Sequence, residues 1–185
     1  MFPRLIADLR ARGPLERGIS EVGTLLAASQ ADWHSSFELV SRPGAYTRSC
    51  AYRDDGFEVL VLNWARGAAS PVHDHGNQHC WMMVLQGGLQ VDDYVRLDPG
   101  DRPGYAYVEP RGSRVLEPGD MDLRTGRFDL HRVKAAEGST AVSLHIYAAP
   151  LRDFFVYDES AWRCQVAFGT YDAVLSDRPA LAGRV

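Results

Sequence analysis

Two of the six histidines stand in the run Val72-His73-Asp74-His75. On a β-strand, residues i and i+2 point to one face, so these imidazoles can converge while Asp74 points away. Imidazole suits iron, zinc, copper and nickel, which makes the pair two-thirds of a metal site. A His-x-His run also arises by chance on surface loops, so the pair alone decides nothing. A second alternation is Ser143, His145 and Tyr147, three polar side chains that one strand would turn towards a common pocket. There the serine can orient the histidine, and the histidine can hydrogen-bond the tyrosine hydroxyl. Arg48 has the fork geometry that pairs with a carboxylate, and Tyr46 shares its strand face.

Strands must position these groups. From Tyr46 to Phe168, runs of Val, Leu, Tyr and Phe alternate with Gly, Pro and Asp clusters, a pattern of antiparallel β-structure. The runs predict strands over 46–53, 57–64, 70–76, 79–86, 88–96, 105–108, 129–134, 141–148, 153–157 and 163–168. That number suits a mainly β fold, a small barrel or sandwich able to enclose a pocket. Residues 3–41 read as helical, with Leu15, Ile19, Val22, Leu25 and Leu26 at helical spacing. The chain therefore reads as one domain over 1–185, with a helical region (1–42) and a β-barrel core (45–170). His34 falls in the helical part and reads as exposed or structural.

At 185 residues the chain can bury a substantial core. A net charge of -4 gives no basic surface for nucleic acid or an anionic membrane. No apolar run approaches the ~20 residues of a membrane span, and the first residues lack the apolar stretch of a secretory signal. Cys50, Cys80 and Cys164 are too few, and odd in number, for a disulfide framework, so a cytoplasmic location is expected, and the protein is expected to be a monomer. Lys134 is the sole lysine among 20 cationic residues, an arginine bias that fits a GC-rich bacterial genome.

Gly67, His73, His75, Cys80 and Gly87 resemble in spacing the first motif of the cupin superfamily, in which Glu usually stands where Cys80 is. His131 matches the histidine of the second motif, although the Asn expected four residues later is Ala135. Without the Glu, three neutral imidazoles leave a divalent ion its full charge. Such an ion favours an anionic ligand, and a thiolate offers both charge and soft sulfur.

The run His73-Asp74-His75-Gly76-Asn77-Gln78-His79-Cys80, followed by Leu85-Gln86-Gly87, resembles cysteine dioxygenase. So do Tyr46-Thr47-Arg48, Leu130-His131-Arg132-Val133 and Ser143-Leu144-His145-Ile146-Tyr147. The resemblance covers about residues 45–170. It implies Fe(II) on His73, His75 and His131, with L-cysteine and O2 as substrates and cysteine sulfinic acid as product. It also places Arg48, Tyr46 and Tyr147 at the substrate carboxylate, Trp64 in the pocket lining, Ser143 and His145 behind the tyrosine, and His79 just behind the ligands. In animal relatives the residues matching Cys80 and Tyr147 form a thioether, so a Cys80–Tyr147 crosslink is expected here. The Ser-Pro-Pro of the family is Ala148-Ala149-Pro150, which puts its cis peptide in question. Rival readings are a 3-mercaptopropionate dioxygenase, which typically carries Gln in place of Arg48, a zinc or nickel isomerase, and a non-catalytic cysteine sensor.

Overall fold

A computed structural model describes residues 2–15, 19–33, 38–126 and 128–175. Helices α1 (Pro3–Arg12) and α2 (Ile19–Ala28) and a 3-10 turn (Ser29–Asp32) precede the strands. The strands are β1 (Tyr46–Arg53), β2 (Glu58–Trp64), β3 (Val72–His73), β4 (Cys80–Gly87), β5 (Leu89–Arg96) and β6 (Val108–Leu116). They continue as β7 (Met121–Arg124), β8 (Leu130–Ala135), β9 (Ala141–Tyr147), β10 (Asp153–Asp158), β11 (Arg163–Phe168) and β12 (Ala173–Val174). One sheet runs β12-β1-β2-β9-β4-β7 and the other β11-β10-β3-β8-β5-β6. This is the mainly β, cupin-type fold with N-terminal helices that the sequence predicts.

The first sheet is covered on both faces, which is why β2, β4 and β9 read as nearly continuous apolar runs. Outward side chains, among them Val59, Val61, Met83, Leu144 and Ile146, pack on Phe2, Leu5, Leu9, Val22 and Leu26. Inward ones, such as Leu60, Leu62, Met82 and Val84, meet Val91 and Val133 across the barrel interior. Each such aliphatic side chain contributes about 1.5–3 kcal/mol by leaving water. Helix α1 suits this role: Leu5 and Leu9 lie one turn apart and buried, and Pro3 sits where no N–H partner is lost.

The helical reading overshoots. Residues 38–42 are not helical, because the Val40 carbonyl accepts bonds from Thr47 Oγ1 (2.5 Å) and Asn63 Nδ2 (3.1 Å), laying the segment along β1 and β2. His34 lies outside the described residues. Strands β6, β7 and β12 were not expected, and β12 carries the sheet past residue 170 by pairing parallel with β1. The run 105–108 only leads into β6. That strand was hidden by Pro110 and Gly112, which an exposed edge tolerates. Gly87, picked out by spacing, has φ 71, and a Cβ there would fall 1.9 Å from the Thr140 carbonyl oxygen. Only glycine fits that close approach of β4 to β9.

Candidate metal centre

His73 on β3 and His131 on β8 are directly paired across the second sheet. His75 arrives differently from the expected strand position. Strand β3 ends at His73, because Asp74 Oδ1 accepts the Gly76 amide (3.1 Å) and Gly76 and Asn77 take positive φ. The turn still aims His75 at the other two. One nitrogen from each imidazole lies within 4.8 Å of the others, and the ring centroids are 4.7 to 5.0 Å apart. Asp74 points away, as alternation requires, and its carboxylate accepts the Tyr157 hydroxyl at 2.8 Å.

The outer nitrogens decide the ligand atoms. His73 Nδ1 is 3.0 Å from the Pro71 carbonyl, and His131 Nδ1 is 3.0 Å from Asp122 Oδ2. Both acceptors favour a proton on Nδ1 and leave Nε2 free for a metal. His75 Nδ1 is buried without a partner. Burial, first among the causes, pushes the His73 pKa down to about 4 and those of His75 and His131 well below the usual value. All three are therefore neutral at pH 7, the form that binds metal. The donor set fits a divalent transition ion with open coordination positions.

These histidines line a cavity of about 40 Å³, room for a small molecule only. Its far wall is Tyr46 stacked on Trp64, with ring centroids 4.8 Å apart. Arg48 lies beside them, 9% exposed, and its Nη2 has no hydrogen-bond partner. The Asp172 carboxylate nearby takes the Arg48 backbone N–H instead, at 2.8 Å.

On β9, Ser143 Oγ lies 2.8 Å from His145 Nε2 and accepts the Trp64 Nε1–H, also at 2.8 Å. The expected bond from His145 to the Tyr147 hydroxyl is not made. As i and i+2 neighbours their rings stand side by side, 13° from parallel with centroids 6.2 Å apart, and His145 Nδ1 is left without a partner. Tyr147 instead stands beside Cys80, its paired residue on β4. Burial, the leading cause, raises both the Cys80 and Tyr147 pKa values and lowers that of His145 to about 3.

Over residues 14–160 the chain matches the family of cysteine dioxygenase type I. The chain belongs to that family. It is 33% identical to cysteine dioxygenase type 1 of Danio rerio over 116 residues, which span 62% of this chain and 56% of that protein. The human cysteine dioxygenase type 1 is 29% identical over 169 residues, 85% of this chain and 80% of that one. Among solved structures, an uncharacterized conserved protein from Klebsiella pneumoniae with a double-stranded β-helix domain aligns at 14% identity. Its TM-score is 0.48, over 66% of this chain and 92% of that one.

Within this cysteine dioxygenase family fold, His79 is not where the resemblance put it. It packs edge-on against Trp81, on the helix-covered side of the sheet. No cis peptide occurs among the described residues, and the Ala149 N–H donates to Gln78 Oε1 (2.5 Å), a bond that proline could not make. The sequence reading missed Asp122 and Arg124 altogether. Both are buried on β7, next to a ligand histidine.

Proposed function

We propose that this protein oxidises the thiol of L-cysteine with O2 to cysteine sulfinic acid, using Fe(II) held by His73, His75 and His131. When bound, the iron supplies a seat for the thiolate and the activation of O2. The chain's own residues bind and orient. Arg48 takes the substrate carboxylate in a charge-assisted pair. Tyr46 and Trp64 wall the cavity, and the Tyr147 hydroxyl, next to Cys80, stands ready to hydrogen-bond substrate at the same end. Ser143, clamped by Trp64, fixes the His145 ring, whose bare Nδ1 keeps a polar edge in a pocket otherwise shielded from water.

One observation carries this reading: a buried guanidinium with an unpartnered nitrogen, in the same small cavity as three neutral imidazoles and no carboxylate. An unpaired buried cation is costly, so its presence calls for an anionic ligand. Oxygen uptake by the iron-loaded protein tests this, with cysteine, 3-mercaptopropionate and cysteamine compared by kcat/KM. Cysteine should lead and cysteamine, which lacks the carboxylate, should trail. A preference for 3-mercaptopropionate, or no uptake, overturns the substrate assignment.

Cys80 and Tyr147 face each other in register, and O2 turnover supplies the oxidant for joining them. The sulfur bonds to the phenol ring carbon next to the hydroxyl, and one hydrogen leaves each residue. Intact mass should fall by that hydrogen pair during prolonged turnover. A constant mass would exclude the crosslink.

A further inference from the structure

Strand β7 turns the usual polarity inside out. Asp122 and Arg124 are buried, 4% and 5% exposed, while the neighbouring Met121 and Leu123 are 44% and 40% exposed. A strand normally turns its apolar side chains inward, and a local breach of that rule marks a functional or strained place. Here the breach faces the metal centre. Asp122 Oδ2 is 3.0 Å from Nδ1 of His131, whose side chain is 3% exposed.

Asp122 is itself held fast. Arg124 grips it in a fork, Nε to Oδ2 at 2.7 Å and Nη2 to Oδ1 at 2.8 Å. Arg124 reaches further, to Asp93 Oδ1 (2.7 Å) and Asp129 Oδ1 (3.0 Å). Arg114 on β6 bonds both Asp93 and Asp122. Asp93 on β5 is in turn the residue paired with His131 across the sheet. The cluster therefore joins β7 of one sheet to β5, β6 and β8 of the other, directly behind one ligand. It contains three carboxylates and two guanidiniums, which leaves one net negative charge.

We propose that Asp122, clamped by Arg124 and Arg114, is a positioning residue for the metal: it fixes the His131 ring with Nε2 inward and supplies, one bond behind the ligand, the negative charge that the three-histidine set lacks. A carboxylate on the outer nitrogen of a ligand histidine raises the basicity of the inner one and fixes its orientation. The inner ligands stay neutral, so open positions remain for substrate. The net charge of the cluster tunes how strongly the ion is held, and in which oxidation state.

This rests on the iron reading above, and the test separates the two. The Fe(II) dissociation constant and the Fe(III)/Fe(II) midpoint potential are measured without thiol substrate for the parent, Asp122→Asn and Arg114→Gln. Asp122→Asn keeps an oxygen that can accept from His131 but removes the charge. It should weaken Fe(II) binding about 10- to 100-fold and raise the potential. Arg114→Gln lies at the half-exposed rim, where the change is tolerated. It makes the cluster one charge more negative, so it should lower the potential. Opposite shifts are the signature, because a purely structural clamp between the sheets would move both variants alike or neither. Should Asp122→Asn fail to fold, Arg114→Gln still decides: an unchanged or raised potential overturns the proposal. A parent protein that takes up no Fe(II) would instead overturn the iron reading itself.

Discussion

Strands β9 and β7 flank β4 in the same sheet, and both turn polar side chains at i and i+2 towards the barrel interior. They differ in what those side chains find there. On β9, His145 Nδ1 is buried without a partner at the cavity, and on β1 of the same sheet Arg48 Nη2 is in the same state. On β7, every side-chain nitrogen of Arg124 and both oxygens of Asp122 are bonded. Buried polar atoms are costly when unpaired, so the first set is arranged for something that arrives, and the second for something that must stay put. The metal centre lies between a receptive wall and a finished one.

The largest effect should come from the receptive wall. Replacing Arg48 with Gln removes the charge that waits for a carboxylate. Losing one partner of a buried charge pair costs about 2–5 kcal/mol, or roughly 30- to 5,000-fold in kcat/KM for cysteine. Activity on cysteamine should hardly change, since that substrate never used the pair. Steady-state kinetics on both thiols checks this, and an equal loss on both would mean that Arg48 shapes the site without binding the carboxylate.

Next comes the pH dependence of the metal-free protein. His73 and His145 are held down to about 4 and about 3, mainly by burial. Above about pH 6.5 each is neutral in both folded and unfolded chains, so stability does not depend on them. Below it the unfolded chain takes up protons that the folded one refuses, and stability falls until the folded pKa values are reached. The slope approaches about 1.4 kcal/mol per pH unit for each histidine. Denaturant unfolding between about pH 7 and pH 5 measures it. Fe(II), which competes with protons for His73 but not for His145, should shift the His73 part of the loss to lower pH.

A smaller effect tests the clamp on β9. Trp64→Phe removes the N–H that Ser143 accepts, together with the smaller ring of a fully buried indole. Losing one buried hydrogen bond and part of a core ring should lower stability by about 2 kcal/mol, seen as a fall in Tm. The Fe(II) dissociation constant should stay put, because this bond does not reach a ligand. The same measurement on Asp122→Asn should move it.

The contrast also explains what the sequence could reveal. Ser143, His145 and Tyr147 were legible because β9 is central and apolar at its alternate positions, so polar residues in phase stand out. His73 and His75 were legible by type and spacing, even though β3 proved too short to carry His75, and His131 by its resemblance to the second cupin motif. β7 was illegible. Met-Asp-Leu-Arg reads as an ordinary edge with its apolar residues inward, and nothing local says that the barrel closes over the charges instead. Arg114, Asp93 and Asp129 meet Asp122 and Arg124 only once both sheets are folded. The placement of Tyr147 beside Cys80 likewise depends on the register of β4 against β9.

The smallest predicted effect bears hardest on β7. If hydrophobic patterning governed this strand, Met121 and Leu123 would be core residues, and a polar substitution would cost what emptying a core site costs, about 2–5 kcal/mol. Because both side chains face solvent, Met121→Gln and Leu123→Gln should each change stability by no more than about 0.5 kcal/mol. Urea unfolding at two protein concentrations reads both the size and its origin. A large loss that depends on concentration would mean that these residues are covered by a second copy of the chain, against the expected monomer. A large loss independent of concentration would mean that β7 turns its charges outward, and the carboxylate behind His131 would go with it.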